Sequence, residues 1–126
     1  MTYEELLAKI IDAGIEAARA DYAKRPDKPE MLEGSIAGFE ACRGKSPDEL
    51  AALWNRAERR GHFSRQEGKD DFWYWRCYAG EIEFCANVIS VGLRQQGRPA
   101  ILPWLPTARG AMQYAKIVGV AEAPAP

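Results

Sequence analysis

Apolar residues recur along residues 70–95, DDFWYWRCYAGEIEFCANVISVGLRQ, in two sets on opposite sides of one helix. One set is Trp75, Ala79, Ile82, Ala86, Ile89 and Leu93, with Tyr78 and Cys85 at its edge. The other is Trp73, Cys77, Phe84, Val88 and Val91. Between them runs a polar line of Arg76, Glu83, Asn87, Ser90 and Arg94, with Gly80 beside it. A helix that is apolar on two sides must be covered twice. At ~1.5 Å per residue the segment is about 39 Å long. A compact chain of this length has a diameter of about 36 Å, so the helix crosses and organises the whole domain. Its start falls at Asp70 or Asp71, or a turn earlier if Ser64 and Glu67 form a capping box. Gly97 and Pro99 end it.

Four further helices are punctuated around it. Thr2 with Glu5 reads as a capping box opening a helix to about Ala23. The stripe of that helix turns small at Gly14, Ala17 and Ala18, which lets another helix come close. Asp21 falls inside the same apolar face. Pro29 suits the first turn of helix two, which presents Leu32, Ile36 and Phe39 and closes at Cys42-Arg43-Gly44. Ser46-Pro47-Asp48-Glu49 caps helix three, which buries Leu50, Leu53, Trp54 and Ala57 and is expected to stop at Arg59-Arg60-Gly61. HFSRQEGKD then reads as a loop. After the long helix, Pro99, Pro103 and Pro106 forbid a regular helix or central strand, so residues 98–106 are expected as an extended strap. Thr107 opens a short last helix through about Val118. The expected fold is therefore all-α: a five-helix bundle around the long helix, one domain over residues 1–120, with a flexible Ala/Pro tail at 121–126.

The second apolar stripe can be covered by the same chain or by a second copy of it. The pattern favours the second copy, because two of the four remaining helices are short. Composition narrows the class. Apolar residues make up 47% and charged residues 28% of 126, the balance of an ordinary globular protein. The formal net charge of −1 argues against a protein that grips nucleic acid with its whole surface. No apolar run approaches the ~18 residues of a membrane span. The start MTYEELLAKI lacks the basic and apolar regions of a signal peptide, and the three cysteines include no CxxC pair. A reduced, cytoplasmic setting is the expectation.

No catalytic set stands out. His62 is the sole histidine, with Glu58 four residues before it, and nothing completes a metal set. Glu81 and Glu83 are two apart and point to different sides, so they are not a paired carboxylate site. Cys77 and Cys85 lie on apolar helix sides, where thiols pack. There is no Gly-rich phosphate loop and no cofactor is expected. Three binding surfaces remain. If the polar line is covered, Trp73, Arg76, Glu83, Asn87 and Arg109 line a ligand cleft, with Asp21 pairing Arg76 or Arg109. Trp104 and Leu105 make the strap too apolar for a free linker and can anchor a protein partner. Arg56, Arg59, Arg60, Arg65 and Lys69 form the densest positive stretch, residues 56–69, with Phe63 interleaved. Cations at helix C-termini also complement the macrodipole, which accounts for Arg59 and Arg60 without nucleic acid. The leading expectation is a non-enzymatic homodimeric adaptor acting through protein–protein contact. Ligand binding and nucleic-acid binding are the alternatives.

Overall fold

The computed structural model describes residues 1–101 and 107–118. Five helices follow one another: α1 (Tyr3–Tyr22), α2 (Pro29–Ala41), α3 (Pro47–Gln66), α4 (Phe72–Gln95) and α5 (Ala108–Val118). The fold is all-α, and α4 packs against each of the other four. Both expected capping boxes form. Glu5 N donates to Thr2 Oγ1 at 3.1 Å and Thr2 N to Glu5 Oε1 at 3.3 Å. Ser46 N donates to Glu49 Oε1 at 2.9 Å and Glu49 N to Ser46 Oγ at 3.3 Å. Each box satisfies two backbone donors that the helix itself leaves open.

The first stripe of α4 is the core: Ala79, Ile82, Ala86, Ile89 and Leu93 are buried. The second stripe divides. Val88 and Val91 are buried within the chain, because α5 and α1 meet over this half of α4. Leu6 and Tyr114 close over Gly92, where a Cβ would overlap the Leu6 side chain. Trp73 stays exposed and Cys77 half-buried, since the eleven residues of α5 reach only part of α4. One chain therefore supplies the cover that motivated a second copy for the C-terminal half of the stripe.

Helix α2 departs from its expected face. Its buried residues are Gly34, Ser35, Gly38 and Phe39, whereas Leu32 and Ile36 are half-buried. A Cβ on Gly34 would overlap the Tyr74 carbonyl, and one on Gly38 the Tyr78 carbonyl. The two backbones thus meet along a seam that only glycine allows. On α1, Gly14 admits the Phe39 ring in the same way.

Helix α3 does not stop at Gly61 but runs on to Gln66. Gly61 lies under Trp75, close to its Cβ. This packing, with buried Ser64 a turn later, offsets the ~1 kcal/mol cost of a helical glycine. The stop falls at Gly68, whose φ of 63° takes the left-handed position. Lys69 N closes the helix on Ser64 O at 2.9 Å. Ser64 accordingly does not cap α4. Asp71 holds the N-cap position, yet its carboxylate makes no capping bond.

Beyond α4, the Ile101 N–H donates to buried Ser90 Oγ at 3.1 Å, and Ile101 is itself buried. The start of the strap therefore folds back on its own bundle. Trp104 and Leu105 lie outside the described residues, as do Pro103, Pro106 and the tail 121–126. Among the described residues, no helix is long and apolar enough to cross a membrane.

Candidate ligand groove

The polar line of α4 meets three different surroundings. Arg76 and Arg94 are exposed, Ser90 is buried under Ile101, and Glu83 and Asn87 are half-buried. Glu83 and Asn87 face Thr107, Arg109 and Gly110 of the opening turn of α5 across a cavity of about 290 Å³. Three of the five expected cleft residues, Glu83, Asn87 and Arg109, are thus brought together. Trp73 and Arg76 are not: they sit near the start of α4, the guanidinium 6.0 Å from the Trp73 ring centre. Arg76 lines a separate hollow of about 80 Å³ with Glu58, His62 and Arg65.

The cavity continues around α4. Glu81, Phe84, Arg109 and Gln113 are shared with a wider groove of about 720 Å³ between α1 and α5. Helical spacing builds both walls. Gly14, Ala17, Ala18 and Asp21 are the i, i+3, i+4 and i+7 positions of α1; Ala17 and Asp21 are exposed to the groove, while the room at Gly14 is taken by the Phe39 ring. Arg109, Gln113 and Lys116 recur at i, i+4 and i+7 on α5. Phe39 and Phe84 form an apolar floor, ring centres 5.9 Å apart and edge to face. Lys24 and Arg25 stand at the end of α1. The walls therefore carry four cations against two carboxylates, Asp21 and Glu81.

Glu81 is the group with unusual chemistry. Burial pushes its carboxyl up to about 7, and the hydroxyl of Ser35 acts in the opposite direction. Ser35 is fully buried on α2 and its Oγ makes no hydrogen bond of good geometry. Tyr22 closes the cluster, its hydroxyl 3.7 Å from Cys77 Sγ. Burial also raises the Tyr22 phenol, helped by Cys77 and opposed by Ser35. Sequence reasoning passed over Glu81 while testing it only as a partner for Glu83. The signal was present: Glu81 is four residues after Cys77 and three before Phe84, a charge in the middle of the second apolar stripe. Asp21 is exposed on the groove wall with Arg109, and the expected ion pair with Arg76 or Arg109 does not form. Arg76 is not part of this groove.

The remaining candidates separate from it. His62 stands on α3 rather than in a loop, 3.7 Å from Glu58 Oε2. Among the described residues, no three His, Cys, Asp or Glu side chains are placed to hold a metal. Cys42 and Cys85 are buried thiols, and burial raises Cys85 well above its ordinary range. Of the basic stretch, Arg56 and Arg59 are exposed, Arg60 pairs with Asp71, and Arg65 and Lys69 lie beside aromatic rings. No family model, curated protein or solved structure matches the chain.

Proposed function

We propose that this chain is a small-ligand-binding protein whose ligand is an amphipathic anion held in the α1–α4–α5 groove. The observation that carries the reading is Glu81, a carboxyl raised to about 7 on an otherwise apolar stripe that opens into the groove. A perturbed acid in a cleft is a functional-site candidate, and here the groove gives it room for a ligand. The ligand's apolar body lies against Phe39 and Phe84. Its anionic group reaches Arg109, Lys116 and Arg25 at the rim. Protonated Glu81 donates one hydrogen bond to an acceptor on the ligand, and Asn87 and Glu83 in the adjoining lobe select a further polar group.

Thermal shift and calorimetry with alkyl and aryl carboxylates, each beside its methyl ester, test this. The acids are expected to raise the midpoint and the esters to leave it unchanged. Arg109→Gln is expected to weaken the best acid roughly tenfold, the worth of one charge-assisted hydrogen bond. Equal binding of acid and ester, or no stabiliser in the series, overturns the reading.

A further inference from the structure

The geometry points to a second binding surface, for single-stranded nucleic acid, where the end of α3 meets the start of α4. Four large apolar side chains are exposed among the described residues: Met1, Phe63, Trp73 and Met112. The two aromatic ones, Phe63 (44% exposed) and Trp73 (40%), stand on either side of the α3–α4 turn. Each is flanked by two cations. Arg60 and Lys69 lie 5.3 and 5.7 Å from the centre of Phe63. Lys28 and Arg76 lie 5.2 and 6.0 Å from the centre of Trp73. Arg65 adds a third pairing, 6.0 Å from Phe72, whose ring is 5.2 Å from that of Trp73.

The macrodipole does not account for this set. It favours Arg65 in the last turn of α3. It disfavours Lys28 at the N-cap of α2 and does not reach Arg76 in the second turn of α4. Those two converge on the same exposed indole. Asp71 pairs with Arg60 at 2.7 Å, which takes one acid and one cation out of the set together, and Glu58 stands 3.7 Å from His62. Glu67 and Asp70 remain exposed. Residues 56–69 carry five cations against two acids in a chain whose net charge is −1, and three of the five, Arg60, Arg65 and Lys69, lie against the rings of this surface.

Alternating rings and cations match a strand that offers unpaired bases and phosphates in turn. A base stacks on Trp73 or Phe63 by displacing one of the cations that lie over the ring, and that ammonium or guanidinium moves to the adjoining phosphate. A duplex hides its base faces, and an acidic peptide without rings would leave the aromatics unused. Extension of α3 past Gly61 is what makes the surface, because it holds Phe63 and Arg65 on a helix instead of a loop.

The test is fluorescence anisotropy with labelled oligo(dT) and oligo(rU) of about ten nucleotides, with the same length of duplex and with heparin. Binding of both single strands that weakens as salt rises, with quenching of tryptophan emission, is expected. Trp73→Ala and Phe63→Ala should each weaken binding roughly tenfold. Arg76→Gln should lower affinity and flatten the salt dependence by about one phosphate contact. Circular dichroism of each variant separates lost binding from lost fold; both rings are exposed, so the helices should persist. Equal affinity for duplex or heparin, or full binding by a folded Trp73→Ala protein, overturns the proposal.

Discussion

Arg60 Nη2 lies 2.7 Å from Asp71 Oδ2, and this contact ties the last turns of α3 to the first turn of α4. Trp75 Nε1 donates to the same oxygen at 3.1 Å. Asp71 thus stands where a helix cap is expected but spends its carboxylate on tertiary contacts. The Ser64 hydroxyl, then the Trp75 indole and Arg60, hold the carboxyl below its ordinary value of 3.8.

The sign of that shift gives a pH signature. A depressed carboxyl stabilises the fold above its ordinary value and loses the contribution as pH falls through the lowered one. Asp71→Asn should therefore unfold at a lower temperature than the parent at pH 7. The gap between the two melting curves should close as pH falls below 3.8 and through the lowered value of the carboxyl. A constant gap across that range would assign the effect to packing instead of charge.

Glu81 predicts the opposite slope. Its carboxyl is raised to about 7 from 4.5, so whatever favours the neutral form is fully present below 4.5 and lost as pH rises through 7. Glu81→Gln should leave stability nearly unchanged at pH 4 and raise it by about 2–3 kcal/mol at pH 8. Urea unfolding at both pH values measures this directly. The same variant should also show whether a ligand needs an acidic proton at this position.

Two glycines on facing helices should respond in opposite directions. Gly38→Ala drives a methyl into the Tyr78 carbonyl and should cost about 1–3 kcal/mol, or more if the backbones cannot part. Gly80→Ala meets nothing within 4 Å and should gain about 0.5–1 kcal/mol from helix propensity. Denaturant midpoints of the two variants on either side of the parent are the expected result.

What could be read from the chain depended on how local the cause was. Thr2 with Glu5 and Ser46 with Glu49 act within four residues, and both caps form as their spacing implies. Gly61 misled because its fate is decided by Trp75, fourteen residues on. The face of α2 misled for a related reason. Leu32 and Ile36 announce a side by their size, whereas Gly34 and Gly38 matter through what they lack, which is visible only beside Tyr74 and Tyr78. The groove was half legible: Glu83, Asn87 and Arg109 share a cavity, while Trp73 and Arg76 belong to the other end of α4. Glu81 was legible in position, as a charge within an apolar stripe, but its surroundings come from Ser35 on another helix, which spacing along α4 cannot show.

The glycine seam between α2 and α4 also divides the molecule by its tolerance of change. Along that seam, where Gly34 and Gly38 meet backbone, almost any mutation adds atoms where there is no room. Across α4, the groove wall at Ala17 and Gln113 borders open space. Substitutions there can enlarge, recharge or reshape the cavity while the seam keeps the helices in register. The two sides of α4 thus differ in kind: one accepts added atoms and the other does not.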